Sequence, residues 1–596
     1  MKVSDFIAEQ LYQFGIRKVF MVTGGGSMHL NDSIGSFSKF DTMYNHHEQA
    51  CSIAAESYAR LTNEPALLNV TTGPGGINAI NGVFGAWTDS IPMIIISGQV
   101  RYDTTIDSSE LPLRQLGDQE VDIISMVSGI TKYAKMIKDP NSIKSELEKA
   151  FKICMSGRKG PVWLDIPVNV QGAIIDSKVT EKIPNIKKAN NSNENDIKNV
   201  IKAIQASERP AILVGNGVRF SESIDLLKEI SKKTKIPVLT AWNAHDIIED
   251  NFPFYFGRPG TVGDRPGNLI IQNSDLLLVL GSRLNIRQIG YNWKAFARES
   301  KIIMVDIDPS EIKKHTLNID YAINDDLKSF LTLLNTTIKN NLDEKKNWLG
   351  YCSMVKDRYP VFLEKYCKSK LVNPYYFIEE LSKALKDDQI IVSADGTACV
   401  TAFQGLAIKK GQRLYTNSGC ASMGYDLPAA IGAWQHKKEE IICIAGDGSI
   451  MMNLQELTTI VKNKMNIKIF LFNNDGYHSI RQTQNNFFKR QVGCGPDSNL
   501  FFPNFESLSK AHGIEYFSIN QSTDVEKNIK KTLEADSACI CEVFLDKNQE
   551  FAPKVSSFRD EKGNIYSRPL EDQAPFLSRK ELEDLMFIDL AEESKI

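Results

Sequence analysis

The feature that most constrains this chain is a series of short, almost uninterrupted apolar runs separated by longer helix-like stretches. Examples are Lys18–Val22, Ala66–Val70, Met93–Ile96, Ala211–Val214, Leu276–Leu280, Ile302–Val305, Ile390–Val392, Ile441–Ile444, Ile467–Phe472 and Ala538–Phe544. A strand with one wet face alternates apolar and polar residues. These do not alternate, so both faces are to be buried, which requires parallel sheets covered by helices on either side. The expected class is α/β, with doubly wound parallel sheets.

Two polar segments, Pro184–Asp196 and Asn335–Lys346, interrupt the rhythm and read as linkers. They divide the 596 residues into blocks 1–183, 197–334 and 347–551, each the size of an α/β domain, followed by a charged tail, 552–596, with a last helix near Ser578–Leu590. The first and third blocks share a rhythm without a residue-level repeat. No apolar run approaches the ~18 residues that span a bilayer. The opening sixteen residues carry Asp5 and Glu9 where a signal peptide needs an apolar core. They read as an amphipathic helix with Ser4 as N-cap. A net charge of −3, from 70 basic and 73 acidic residues, leaves no electrostatic footprint for nucleic acid. The 10 scattered cysteines contain no CxxC pair. That argues against a zinc ribbon or disulfide framework and for reduced thiols in a cytoplasmic protein.

The strongest local signal lies in the third block. One apolar strand runs into Gly446-Asp447-Gly448-Ser449, a second into Asn473-Asn474-Asp475-Gly476, at the spacing GDG-x24-NN. Parallel strands end at one carboxyl edge, where α/β sheets bind ligands. Asp447 and the Asn474 amide are hard oxygen donors suited to Mg²⁺, and Gly476 can turn its carbonyl inward. Magnesium takes few protein ligands and is completed by phosphates, which backbone N–H groups after Ser449 and Asn474 would also meet. Either motif alone is an ordinary turn; the pair, each straight after an apolar strand, is specific.

GDG-x24-NN resembles the thiamine diphosphate motif of the thiamine diphosphate-dependent decarboxylases and carboligases. Other segments agree over about residues 1–550. His46-His47-Glu48-Gln49-Ala50 resembles the family's catalytic-glutamate helix. Thr71-Thr72-Gly73-Pro74-Gly75-Gly76-Ile77-Asn78 resembles the GPG loop of acetolactate synthase, and Ser418-Gly419-Cys420-Ala421-Ser422-Met423-Gly424-Tyr425 resembles the segment that seats the bent cofactor. The resemblance implies pyrimidine-binding, central and diphosphate-binding domains in that order. It implies Glu48 as the catalytic carboxyl at the pyrimidine edge, with Gly25, Gly73 and Asn78 nearby, and Met423 beneath the bend. Gly396, Thr397, Ala398, Gly446, Asp447, Gly448, Ser449, Asn474, Gly476, Tyr477 and His478 fall around the diphosphate, with Asp447, Asn474 and Gly476 on the metal. It also implies at least a dimer, as a homodimer or homotetramer.

The match to acetolactate synthase breaks at two places. Alignment on Asn473-Asn474 puts Thr483 where those enzymes carry a tryptophan that selects the second 2-oxo acid. Their aromatic before the Gln-Glu pair is also missing from Leu116-Gly117-Asp118-Gln119-Glu120. Both changes open or polarise the acceptor side, where Gly25, His29, Gln119, Arg481 and Thr483 are the candidate substrate contacts; Arg481 reads equally as a surface ion-pair residue, and His29 equally as a packed histidine. Gly215-Asn216-Gly217, Gly260-Thr261, Gly281-Ser282-Arg283 and the Asp306–Glu311 segment resemble positions that hold FAD in acetolactate synthase-like enzymes. Relatives without flavin have similar central domains, so FAD stays open. The expected function is an acetolactate synthase-like carboligase that decarboxylates a short 2-oxo acid, pyruvate first, and passes the acyl unit to a carbonyl acceptor. The alternatives are a 2-oxo-acid decarboxylase releasing an aldehyde and a non-catalytic homologue that binds the cofactor.

Overall fold

The computed structural model describes residues 1–595 except 177, 181–183, 187–192, 339–343 and 560–561. Parts of both polar segments thus lie outside the described residues. The helix Glu194–Ala206 already starts inside the first, because Asn193 and Asp196 form a reciprocal capping box there. The helix Leu327–Thr337 runs into the second.

Among the described residues three six-stranded parallel sheets form the body of the molecule, and the tail adds two two-stranded antiparallel sheets, Lys554–Val555 with Gln573–Ala574 and Ser557–Arg559 with Ile565–Ser567. The first contains β1 (Lys18–Met21), β2 (Asp41–Tyr44), β3 (Ala66–Val70), β4 (Met93–Gln99), β5 (Tyr133–Met136) and β6 (Val162–Pro167), in the order β2-β1-β3-β4-β6-β5. The second contains β7 (Pro210–Val214), β8 (Val238–Thr240), β9 (Tyr255–Gly257), β10 (Leu276–Leu280), β11 (Lys301–Asp306) and β12 (Tyr321–Asn324), ordered β12-β11-β10-β7-β8-β9. The third contains β13 (Ile390–Ser393), β14 (Arg413–Tyr415), β15 (Ile441–Gly446), β16 (Ile467–Asn473), β17 (Glu515–Ile519) and β18 (Cys539–Phe544), ordered β14-β13-β15-β16-β18-β17. The first and third sheets therefore repeat one strand order without a repeated sequence, while the second has the dinucleotide-fold order. Strands such as β3, β4, β7 and β10 are buried along their whole length, as their apolar composition requires.

Five helices position the site: α1 (Glu48–Thr62), α2 (Pro74–Asp89), α3 (Thr397–Gly405), α4 (Asp426–Lys437) and α5 (His478–Phe487). Helices α1 and α4 follow the equivalent edge strands β2 and β14 and pack on each other. A Cβ on Gly432 would stand 2.1 Å from the Ala54 carbonyl oxygen, so only glycine lets these two backbones touch. Across this contact the Ser57 hydroxyl donates to Ala429 O at 2.7 Å, and the Tyr425 hydroxyl donates to Glu56 at 2.8 Å. Glu56 in turn pairs with the buried Arg60 guanidinium.

A second buried charge cluster ties the central sheet to the third. Asp246 pairs with Arg219 and Arg413, each at 2.7 Å, and accepts from the Leu414 N–H. Burial works to raise the Asp246 carboxyl, but the two guanidinium charges outweigh it and hold it below its ordinary value. Asp246→Ala would leave two guanidinium groups in the interface without their shared counter-charge. We expect a loss of about 3–5 kcal/mol, read as a lower first transition in urea unfolding, with Asp246→Asn losing less.

The opening helix spans Val3–Gln13 and is capped by the backbone at Lys2. Ser4 sits inside it, buried, accepting from the Ser33 hydroxyl at 2.8 Å, so it is not the N-cap. The tail docks on the central sheet: Leu570, Leu582, Leu585 and Leu590 join that core. Its helix covers Arg579–Leu585 only, capped by Ser578. Among the described residues no helix is long and apolar enough to cross a membrane. All ten cysteines are free thiols.

Candidate active site

β15 and β16 are hydrogen-bonded neighbours in register from Ile441↔Ile467 to Gly446↔Phe472, so their following loops emerge side by side. Asp447 stitches those loops together. Its Oδ1 accepts from Gly448 N at 2.8 Å, and its Oδ2 from Asn474 N at 3.0 Å and Gly476 N at 2.9 Å. Burial raises the Asp447 carboxyl to about 7 against the pull of these N–H groups. A buried carboxylate of this kind is stabilised by a cation. Beside it, the Asn474 side-chain amide donates to the Thr397 hydroxyl at 3.3 Å, while its Oδ1 is buried without a partner. Gly476 has φ of 130°, and a Cβ there would lie 2.0 Å from Cys494 O, so no other residue fits the turn.

The remaining residues expected around the diphosphate divide. Gly396 has φ of 90° and faces open space, with nothing within 4 Å of a built Cβ. Thr397 opens α3 beside it. The Ala398 side chain instead packs in the apolar core, leaving only its backbone for a ligand. The Tyr477 ring lies over Gly448, where a Cβ would collide with it. Ser449 accepts from Gly424 N at 2.8 Å and so fixes the turn that carries the half-buried Met423. His478 is turned inward: Nδ1 meets the Thr397 hydroxyl at 3.1 Å, Nε2 accepts from Gln482 at 3.0 Å, and the ring meets Phe551 edge-on. Burial, then the Arg481 and Lys554 charges, push it down to about 4. It is a neutral imidazole with both nitrogens engaged.

The second cluster lies on the first sheet. Glu48 is the first residue of α1, behind the N-cap His47, whose Nδ1 accepts from Gln49 N at 3.0 Å. Its Oε2 accepts from the Asn78 amide at 3.0 Å, and its Oε1 lies 3.5 Å from a Cβ built on Gly75. Gln119, with φ of 60°, lays its carbonyl oxygen against Gly73 at the start of α2. Gly25 is open on the surface of the same sheet edge. Glu456, fully buried and without any motif to announce it, accepts from the Asn45 amide at 2.8 Å and His46 N at 2.9 Å, and so anchors the approach to Glu48.

Among the described residues no hydrogen bond or ion pair joins the Glu48–Asn78 cluster to the Asp447 loop. Of three further candidate substrate contacts, His29 and Thr483 bond to neither cluster, while Arg481 is tied to the Asp447 loop. His29 packs its ring against Gly172. Arg481 donates to Asn474 O at 3.2 Å and Asp475 O at 2.7 Å, so its guanidinium braces the loop instead of making a surface ion pair. Thr483 is exposed on α5 and donates to Ser479 O at 3.0 Å, one turn back.

A separate cavity of about 370 Å³ opens between the central sheet and its neighbours. Gly215–Gly217, Gly281–Arg283, Asp306, Ile307 and Glu311 line it; Gly260 and Thr261 do not. Burial pushes the Asp306 carboxyl up to about 6.

Two half-sites on like-ordered sheets, with a third sheet between them in sequence, describe a thiamine enzyme. The chain matches the thiamine pyrophosphate enzyme N-terminal TPP binding domain over residues 1–126, the central domain over 197–334 and the C-terminal TPP binding domain over 395–543. It belongs to the thiamine pyrophosphate-dependent enzyme family. It is 30% identical to an acetolactate synthase large subunit of Porphyra purpurea, covering 92% of this chain and 93% of that one. It is 31% identical to the acetolactate synthase large subunit of Corynebacterium glutamicum, covering 92% and 88%. The acetolactate synthase isozyme 1 large subunit of Escherichia coli is 28% identical, covering 93% and 95%.

Proposed function

We propose that this carboligase of the acetolactate synthase type uses thiamine diphosphate and Mg²⁺ to decarboxylate a short 2-oxo acid, pyruvate first, and to transfer the acyl unit to a carbonyl acceptor larger and more polar than a second pyruvate. The observation that carries the reading is the Asp447 loop. Its buried carboxylate and the unpartnered Asn474 Oδ1 fit a small hard cation, with the Gly476 carbonyl as a third oxygen. Among the described residues no group of three His, Cys, Asp or Glu side chains could hold a metal. A mixed set completed by phosphate oxygens is the arrangement Mg²⁺ accepts. Gly396 leaves open space that suits the diphosphate, and in this reading Met423 would sit beneath the cofactor's bend.

The bound cofactor supplies a carbon nucleophile that accepts the electrons released with CO₂. The chain's part is placement and proton handling. Glu48, held by Asn78, would take the pyrimidine ring nitrogen and set its proton. Asp447, Asn474 and Gly476 would hold the metal, with Arg481 bracing their loop.

Glu48 and Asp447 need a second copy to share one site. Helix α2, which carries Asn78, leaves Ile77, Phe84 and Trp87 exposed at 42%, 38% and 37%. That outward face supports a homodimer or homotetramer in which one copy's Glu48 meets the other's Asp447 loop. The central cleft, with its glycine-lined strand ends, supports FAD as a second group. A flavin absorbance released from the purified protein on denaturation tests this.

The acceptor reading rests on the outward face of α5, where Ile480 and Phe487 flank Thr483. An indole at 483 would add an apolar wall; threonine leaves the space open and a hydroxyl nearby. Pyruvate alone should give little acetolactate, and hydroxylated aldehydes or ketones should raise CO₂ release. Thr483→Trp should shift product toward acetolactate by about tenfold, measured by product mass across an acceptor panel. Efficient acetolactate formation by the unmodified protein, with no stimulation by larger acceptors, would return it to branched-chain amino-acid synthesis.

A further inference from the structure

The three sheets meet at one side chain of the central domain. Asn243 follows β8 with φ of 61°, a left-handed backbone. Its amide nitrogen lies 2.7 Å from Thr416 O, 3.1 Å from Ser418 Oγ and 3.3 Å from Asp89 Oδ2. Its Oδ1 accepts from Thr416 N at 3.3 Å. An amide has two N–H groups for three acceptors, so the two short contacts to the 416–418 segment take them and Asp89 is the weaker third. Asp89, at the end of α2, reaches the same segment from the other side and accepts from Gly419 N at 3.2 Å. Its second oxygen is held by Arg60 at 2.7 Å.

The segment so gripped runs directly to Met423. At that end it is fixed from within the third domain, by Ser449 on Gly424 N and by the Asn453 amide on Gly424 O at 2.8 Å. The strap beneath the cofactor is therefore held at one end by its own domain and at the other by its two neighbours. Asn243, Asp89 and Ser418 also line the central cleft, so an occupant of that cleft touches the same grip.

We infer that Asn243 is a positioning residue for the cofactor seat: it sets the register of the Thr416–Met423 strap against the Asp447 loop, and through it the central domain controls thiamine diphosphate binding. This rests on the reading of Met423 and Asp447 as the cofactor site. It requires no contact between Asn243 and the cofactor.

The test is Asn243→Gly, which keeps the left-handed backbone free of strain and removes only the amide. The full chain with Mg²⁺ is titrated with thiamine diphosphate by calorimetry, alongside thermal unfolding without it. Loss of the three hydrogen bonds that tie Asn243 to the strap should raise the Kd for thiamine diphosphate by about tenfold. The KM for the cofactor should rise in step, while kcat at saturating cofactor stays within about threefold of wild type. A residue that merely glued the domains together would lower the unfolding temperature and leave the Kd of the folded protein alone, and that result overturns the inference. Should Asn243→Gly fail to fold, Ser418→Ala removes one bond of the same set and should weaken cofactor binding by about threefold; an unchanged Kd there also overturns it. Wild-type protein that binds no thiamine diphosphate would sink the reading of the site and the strap together. Wild-type binding that survives unchanged in the variants sinks the strap alone.

Discussion

Glu48→Gln is expected to fold, bind thiamine diphosphate and exchange the cofactor's C2 proton about 10³-fold more slowly than wild type. The substitution keeps the size of the side chain and an oxygen that can still accept from Asn78, so the local geometry survives. What it removes is the charge that holds a proton on the pyrimidine ring nitrogen. Stability should move little, because Glu48 is only half-buried and one hydrogen bond is worth about 1 kcal/mol. Hydrogen–deuterium exchange at C2, followed by NMR, separates this from a binding defect. Wild-type exchange in the variant would strip Glu48 of the role.

The second large effect is at Asp447. Asp447→Ala removes one hard ligand and the acceptor of three backbone N–H groups at once. Without the metal, two phosphates would face the buried oxygens of Asn474 and the loop carbonyls unscreened. Affinity for thiamine diphosphate should fall by about 100-fold or more. The freed N–H groups of Gly448, Asn474 and Gly476 should add a loss of about 1–3 kcal/mol in stability. Asp447→Asn divides the two consequences: its one acceptor oxygen restores part of the N–H set, hence part of the loop's stability, but not the charge that favours the metal. Calorimetry with and without a chelator reads both. Cofactor affinity in Asp447→Ala equal to wild type, and indifferent to chelator, would place the cation elsewhere.

How much of this was legible in the residues depended on how local the determinant is. The pair Gly446–Ser449 and Asn473–Gly476 could be read together because neighbouring parallel strands must end at one edge, and β15 and β16 are neighbours. Strands buried on both faces announced themselves. None of the six edge strands, β2, β5, β9, β12, β14 and β17, is among the examples named: Asp41–Tyr44 and Glu515–Ile519 carry the charge a strand with one neighbour tolerates, and β9 and β14 are three residues long. Interior β6 and β8 are not among them either. Val162–Pro167 is interrupted by Asp165, and Val238–Thr240 is three residues long. Side-chain direction was harder still. Arg481 and His478 open α5 straight after a readable loop, yet which way they turn is set by partners such as Thr397 and the Asp475 carbonyl, which no helix spacing connects to them. Glu456 meets Asn45 across 411 residues of chain, and Asn243 meets Thr416 across 173.

If, as proposed, one copy's Glu48 meets another copy's Asp447 loop, that division has a genetic consequence: a lesion in one half-site leaves the other half intact and available to a neighbouring copy. Two null alleles, one altered at Glu48 and one at Asp447, should therefore rescue each other when expressed together. In a mixed dimer one of the two sites gathers both lesions and the other gathers neither. Random assortment of equal amounts makes half the dimers mixed, each with one working site, so about a quarter of wild-type activity should return. Alleles damaged at the same half-site should show no rescue, which would make inheritance itself a readout of how the active site is divided.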